Sequence, residues 1–231
     1  MTVTLDSHHR FHIAHACFWK GDVQPFTIIS NSSIKKGGFT PVNATCLEWV
    51  LRYTEELEKS GKFCLCIWPE HCLIGSEGHN VNPVINSGLT TWLEYNNSSS
   101  NNLDPNDNGI NWIMKGSNKM TEMFSCMKAE VIIPNDKTTH FNQSLMDRFL
   151  SREGKLVVVG QASSHCVNFS VRDIVNYWLE NSEKNISDLI VLRDCMSPVP
   201  GFESAADEFF RDMEKFGVTV CTSEEYCVGW E

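Results

Sequence analysis

Short apolar runs alternate with longer helical patterns along this chain, and that alternation limits its fold more than any other feature. Strand candidates lie at residues 2–5, 63–68, 111–115, 155–160, 188–192 and 218–221, and helix candidates at 45–60, 82–95, 143–153, 165–181 and 203–216. In the fourth helix candidate an apolar residue recurs at helical spacing and predicts a buried stripe of Val167, Val171, Ile174 and Trp178. Strands that alternate with helices form βαβ units. The sequence therefore predicts an α/β fold with a Rossmann-like, largely parallel sheet and helices on both faces.

Length and charge limit how many domains the chain can form and which classes of partner it can bind. A chain of 231 residues suits one α/β domain or two small ones, and we expect a single domain over 1–231. With 29 acidic and 19 basic residues the net charge is -10, which argues against nucleic acid or an anionic membrane as a partner. The ten cysteines are scattered, unlike a dense disulfide framework. No signal peptide opens the chain and no apolar run is long enough to span a bilayer, so we expect a cytoplasmic protein.

Cys166 is the candidate nucleophile. It follows the strand candidate at 155–160 and a run of small residues, and it lies where the next helix begins. A cysteine at a helix N-terminus has its thiolate favoured by the helix dipole, and the free backbone N–H groups there can stabilise an oxyanion. A buried structural cysteine is the alternative that these residues leave open.

Histidines and a carboxylate follow two strand candidates and indicate a metal site. Asp6 and His8 lie one residue apart in an extended segment and so point to the same side, whereas the adjacent His9 should point away. His71 follows the strand candidate at 63–68. Two imidazoles and a carboxylate, with positions left for water or substrate, suit a divalent transition metal. A solvated His-rich loop is the alternative.

Three further residues are weaker candidates. His12 and His15 follow in the same run, one of them as a fourth metal ligand and the other as a surface residue. Lys115 ends the strand candidate at 111–115 and should face the same rim of the sheet as Cys166. A functional lysine there would stabilise a thiolate or a nearby carboxylate, and an ordinary exposed lysine is the alternative.

Together these motifs resemble the nicotinamidase and isochorismatase-like cysteine hydrolases. The stretch Thr4-Leu-Asp6-Ser-His8 is similar to the family's D-x-H metal motif, and Trp68-Pro-Glu-His71-Cys72, followed by Gly75-Ser-Glu-Gly78, is similar to its W-P-x-H-C-x-x-G-T-x-G signature. Lys115-Gly116 matches the catalytic lysine, and Gly160-x-Ala162-x-x-x-Cys166-Val matches the nucleophile turn. The similarity runs from residue 2 to the end of the chain.

The resemblance implies an isochorismatase-like hydrolase fold and amidase chemistry. Nicotinamide or a similar small amide would be hydrolysed to the acid and ammonia through a thioester on Cys166, with Lys115 as a second member of the catalytic triad. The backbone amides of Ala162 and Cys166 would form the oxyanion hole, held by a cis peptide bond between Gln161 and Ala162.

The resemblance also implies a cofactor and a substrate site. Asp6, His8 and His71 would hold a divalent metal ion, with zinc expected and iron or manganese as alternatives. The ion would bind the pyridine nitrogen of nicotinamide, and Trp68 would flank the ring. The expected partner is a small-molecule amide, and a second copy of the chain is left open.

One family motif has no match. The D-x-Q/N-x-D-F stretch, whose Asp activates the cysteine, does not occur in residues 1–231. We therefore expect the domain to lack its first strand and helix, through a shortened sequence, a strand supplied by another chain, or degeneration. The alternative function is a catalytically inactive homologue, truncated or degenerate, that keeps the fold for binding or assembly.

Overall fold

The computed structural model of the chain follows the predicted alternation of strands and helices. It describes residues 1–61, 63–99 and 109–228. These residues divide into two compact units, Met1–Glu122 and Met123–Glu231. Each unit has its own strands and helices.

The first unit brings the ends of two parallel strands together. Its elements are β1 (Thr2–Asp6), β2 (Ile28–Ile29), α1 (Asn31–Lys35), α2 (Leu47–Lys59), β3 (Leu65–Cys66), α3 (Pro83–Ser99) and β4 (Asn111–Lys115). β1 pairs with β4 in parallel, and Asp6 is opposite Lys115 in the register. β2 pairs with β3 in antiparallel orientation. The last residues of β1 and β4 therefore meet at the carboxyl edge of the pair, where α/β proteins bind ligands.

Helix α2 supplies part of the core of the first unit. Its buried residues Val50, Tyr53, Thr54 and Leu57 recur at helical spacing and form one face. The Asn31 side chain at the start of α1 donates hydrogen bonds to Leu51 O and to Thr54 Oγ1, at 2.6 Å and 2.9 Å. This contact joins α1 to the buried face of α2.

The second unit is a three-stranded parallel sheet with helices. Its elements are α4 (Gln143–Ser151), β5 (Leu156–Val158), α5 (Cys166–Asn181), β6 (Leu189–Leu192), α6 (Glu203–Phe216), β7 (Thr219–Cys221) and α7 (Ser223–Cys227). The strand order is β5-β6-β7. The predicted stripe of α5 is buried, and α5 packs against α6, which in turn packs against β7.

The predicted α/β class with parallel strands is confirmed, and the predicted and observed elements differ only locally. β3 lies inside the strand candidate at 63–68, but its antiparallel partner β2 was not predicted, because a strand of two residues is too short to show alternation. The helix candidate at 82–95 is longer than predicted, since α3 continues to Ser99, and residues 100–108 lie outside the described residues. No helix in the described ranges is long and apolar enough to cross a membrane. The expectation of a single domain without its first strand and helix stays a prediction.

Candidate active site

A buried ion pair joins the ends of β1 and β4. The Lys115 ammonium donates a hydrogen bond to Oδ1 of Asp6, and the side chains are 3% and 23% exposed. Burial alone would raise the pKa of Asp6, but the positive charge of Lys115 and its hydrogen bond outweigh this effect, so the pKa of Asp6 lies below its ordinary value. Asp6 is therefore an ionised carboxylate, and the structure gives Lys115 a carboxylate partner.

Backbone hydrogen bonds fix the segments that carry the candidate ligands. The N–H of Ser7 donates to Lys115 O at 2.8 Å, and the N–H of His8 donates to Cys72 O at 3.0 Å. Ile74 N–H donates to His8 O at 3.0 Å. The segment after β1 is thus bonded both to the end of β4 and to the segment after β3.

Three metal-ligating side chains converge on this edge. Ligand atoms of Asp6, His71 and Cys72 all lie within 4.8 Å of one another, and all three residues are half-buried. The structure thus brings the predicted ligands Asp6 and His71 together. The third predicted ligand, His8, lies beside them, with its ring centroid 4.9 Å from that of His71, but outside that group of three. Cys72 was not predicted as a ligand, because side chains of adjacent residues in an extended segment point to opposite sides.

Three imidazoles share one hydrogen-bonding pattern. In each, Nδ1 lies against a backbone carbonyl oxygen: 3.2 Å for His8 and Gly116, 3.0 Å for His15 and Arg10, and 2.8 Å for His71 and Pro69. A carbonyl oxygen can only accept, so Nδ1 carries the hydrogen and Nε2 keeps its lone pair. This is the arrangement in which backbone groups orient the histidines of metal sites.

His12 differs from its neighbours because both of its ring nitrogens bind backbone groups. Nδ1 accepts from Ala14 N–H and Nε2 donates to Thr121 O, both at 3.2 Å. His12 is therefore a structural residue. The expectation that one of the two is a surface residue is wrong, since both are 1% exposed. His9, in contrast, is exposed, as predicted.

The buried imidazoles are neutral. Burial first, and then neighbouring histidines, lower the pKa of His12 to about 3. Burial also lowers the pKa of His8, to about 4, against the opposing effect of Asp6. A neutral imidazole is the form that binds a metal ion.

Trp68 lies close to a second aromatic ring that the sequence analysis missed. Trp68 N–H donates to Ala14 O at 2.8 Å, and Phe26 N–H donates to Ile67 O at 2.5 Å. The Phe26 and Trp68 rings meet edge to face with centroids 5.9 Å apart. Phe26 has a φ of 65° and is 57% exposed, an unusual backbone conformation for an aromatic residue. Nothing in the local sequence indicated this contact.

In the second unit the predicted nucleophile lies at the start of a helix. Cys166 is the first residue of α5, as predicted. The peptide bond between Gln161 and Ala162 is cis, as the family resemblance implied. Ala162 O accepts hydrogen bonds from the N–H groups of His165 and Val167, at 3.0 Å and 3.1 Å. Within the described part of the chain, no group accepts a hydrogen bond from Ala162 N–H.

The residues before Cys166 are held by polar and aromatic contacts. Ser164 Oγ accepts from Val199 N–H at 2.9 Å and lies 2.9 Å from His165 Nδ1. The His165 ring meets those of Phe124 and Phe202 edge to face, with centroids 5.5 Å and 4.8 Å away. Burial lowers the pKa of His165. The predicted proximity of Cys166 to Lys115, which belongs to the other unit, stays a prediction.

Solved structures resemble this chain, while protein-family models and curated proteins do not match it. A nicotinamidase and pyrazinamidase from Acinetobacter baumanii is 17% identical with a TM-score of 0.58, and the likeness covers 97% of this chain and 78% of that one. For the yeast nicotinamidase bound to the inhibitor nicotinaldehyde, the identity is 15%, the TM-score 0.57 and the coverage 96% and 79%. A protein from L. infantum in complex with nicotinate is 16% identical, with a TM-score of 0.50 and coverage of 96% and 71%. At such identities the likeness establishes the fold: this chain has the isochorismatase-like α/β fold of the nicotinamidases.

Proposed function

We propose that the chain is a metal-dependent cysteine amidohydrolase that converts nicotinamide or a similar small amide to the acid and ammonia. The observation that carries this proposal is the nucleophile turn. Cys166 opens α5 after the turn that follows the parallel strand β5, in a chain with the nicotinamidase fold. A cysteine at a helix N-terminus has its thiolate favoured by the helix dipole, which supports a nucleophile rather than a structural cysteine.

The reaction would proceed in two stages at the turn. The Cys166 thiolate attacks the amide carbonyl, and the N–H groups of Ala162 and Cys166 stabilise the resulting oxyanion. The carbon–nitrogen bond breaks, and the nitrogen takes up the proton that the thiol gave up and leaves as ammonia. Water then cleaves the thioester, which releases the acid and restores the thiol.

Charge and ring contacts support the remaining roles in this proposal. Lys115 carries a positive charge in its ion pair with Asp6 and would stabilise negative charge at the reacting groups. Trp68 would lie against the flat ring of the substrate, and the edge-to-face contact with Phe26 supports its orientation.

The residues at the ends of β1 and β3 fit a divalent transition metal. Asp6 is ionised, and His8 and His71 present Nε2 while Nδ1 is bound by a carbonyl oxygen. These three residues would hold the ion, with zinc expected and iron or manganese as alternatives. An ion held by these residues would interact with the ring nitrogen of a pyridine substrate.

Ammonia release tests the proposal. The zinc-loaded chain should release ammonia from nicotinamide, and more slowly from benzamide, which lacks the ring nitrogen. Cys166→Ala should release none while retaining its metal. Cys64→Ser, which changes another half-buried cysteine, is the matched control and should remain active. Equal release by Cys166→Ala, or no release by a metal-loaded native chain, would contradict the amidase assignment.

A second candidate is a non-catalytic homologue that keeps the fold for assembly, including self-association. Trp112 and Met114 alternate along β4 and are 46% and 54% exposed, which favours a contact surface on this strand. Sedimentation velocity over a range of concentrations distinguishes the candidates. Self-association that Trp112→Ser removes, in a chain without turnover, would support assembly over catalysis.

A further inference from the structure

We infer that Cys72 is a metal ligand, so that Asp6, His71 and Cys72 bind a thiophilic divalent ion such as zinc through oxygen, nitrogen and sulfur. The inference rests on the metal site of the proposed function and adds a ligand type to it. Its basis is geometric: one ligand atom from each residue lies within 4.8 Å of the other two. Ligand atoms at this separation can reach a common ion through small side-chain rotations, since metal–ligand bonds are about 2.0–2.3 Å long.

The backbone at Cys72 explains how two adjacent residues can both face Asp6. Side chains of neighbouring residues in an extended strand point to opposite sides. Cys72 instead has a φ of 48°, in the left-handed region that few non-glycine residues adopt. Its carbonyl oxygen accepts the His8 N–H at 3.0 Å, which fixes this conformation against the segment after β1.

The free ring nitrogen of His71 and a carboxylate oxygen of Asp6 complete the set. Nδ1 of His71 lies 2.8 Å from Pro69 O and carries the hydrogen, so Nε2 is the donor atom. Asp6 contributes a carboxylate oxygen to the group of three, and a carboxylate can accept a hydrogen bond from Lys115 and bind an ion at the same time.

Charge balance supports a thiolate at this position. Asp6 and Lys115 already form a neutral pair, so a divalent ion held only by neutral imidazoles would add two uncompensated charges to a half-buried site. A sulfur–metal bond replaces the sulfur–hydrogen bond of Cys72, the proton passes to solvent, and the added charge falls to one. Thiolate ligands favour zinc and cobalt(II) over manganese and magnesium, so Cys72 would also determine which ion binds.

Cobalt(II) absorption tests the inference because a bound thiolate gives a charge-transfer band in the near ultraviolet. The chain of 231 residues, freed of metal with a chelator, is titrated with cobalt(II). The native chain, Cys64→Ser and Cys166→Ala should show the band, and Cys72→Ser and Cys72→Ala should not. Zinc affinity should fall at least about tenfold in Cys72→Ser, while manganese affinity changes less.

A labelling experiment on the native chain covers the case in which the Cys72 variants do not fold. Zinc should slow the alkylation of Cys72 by iodoacetamide, and a chelator should restore it. Three results would overturn the inference: no cobalt binding, cobalt binding without the band, or an equal band in Cys72→Ser.

Nicotinamide turnover by the native chain, measured on the sample used for its cobalt(II) spectrum, separates this inference from the proposed function. Turnover without the band refutes Cys72 as a ligand and leaves the amidase assignment intact. The band without turnover refutes the amidase assignment and supports the ligand.

Discussion

Removing Asp6 and removing Lys115 from their ion pair should destabilise the first unit by different amounts. Asp6→Ala leaves an ammonium that is 3% exposed without its carboxylate, and breaking a buried pair in this way costs about 3–5 kcal/mol. Lys115→Met leaves a carboxylate that is 23% exposed and keeps water contact, so we expect about 1–3 kcal/mol. The double variant, with Asp6→Ala and Lys115→Met together, should lose less free energy of unfolding than the two single variants summed, because it leaves no isolated buried charge.

Urea unfolding of the metal-free chain, followed by tryptophan fluorescence, measures these differences. The control is the pair Arg10–Glu70, whose side chains are 75% and 39% exposed, and Arg10→Ala should leave the free energy of unfolding unchanged. Because the folded pKa of Asp6 is lowered, the contribution of the pair is present above the ordinary pKa of an aspartate and is lost as the pH falls through the folded value. The reasoning from burial is wrong if both single variants have a free energy of unfolding within about 1 kcal/mol of that of the native chain. It is also wrong if Lys115→Met lowers this free energy more than Asp6→Ala does.

Three further outcomes are expected. Iodoacetamide should label Cys166 faster than Cys66, whose pKa burial raises to about 11, and equal rates would count against a reactive nucleophile. In the metal-free chain the free energy of unfolding should fall as the pH drops from about 6.5 to about 3, because the unfolded state binds a proton that folded His12 does not. His12→Gln should reduce this slope by up to about 1.4 kcal/mol per pH unit, and an unchanged slope would assign the effect to other groups. Phe26→Ala should raise the KM for nicotinamide about 2- to 12-fold at constant kcat, corresponding to an aromatic contact of about 0.5–1.5 kcal/mol, whereas Phe216→Ala, a change to another exposed ring, should have no effect.

Features set by local sequence were predicted correctly. The start of α5 at Cys166 follows from small residues between an apolar run and a helical stripe, and the buried stripe follows from spacing alone. The parallel strands were also predicted, because alternation of strand and helix leaves few other arrangements. The class of fold could therefore be derived from residues that are close along the chain.

The detailed chemistry of the site depended on residues far apart along the chain. Asp6 and Lys115 are 109 positions apart, and only the register of β1 against β4 makes them partners. His12 and Thr121 have the same separation, and their hydrogen bond is what distinguishes His12 from His15. No pattern in the sequence distinguishes His12 from His15. Their roles differ in which backbone carbonyl oxygen faces which ring nitrogen, and only the tertiary structure shows this.

The amino-acid sequence by itself determined the α/β class, the position of the candidate nucleophile and the residue types of the candidate metal site, because periodicity and motif spacing are properties of neighbouring residues. The tertiary structure decided which side chains meet: Asp6 with Lys115, His71 with Cys72, and Phe26 with Trp68. The physical reason is that these contacts depend on strand register and on backbone conformations such as the left-handed Cys72, which packing across the unit selects and local propensity disfavours.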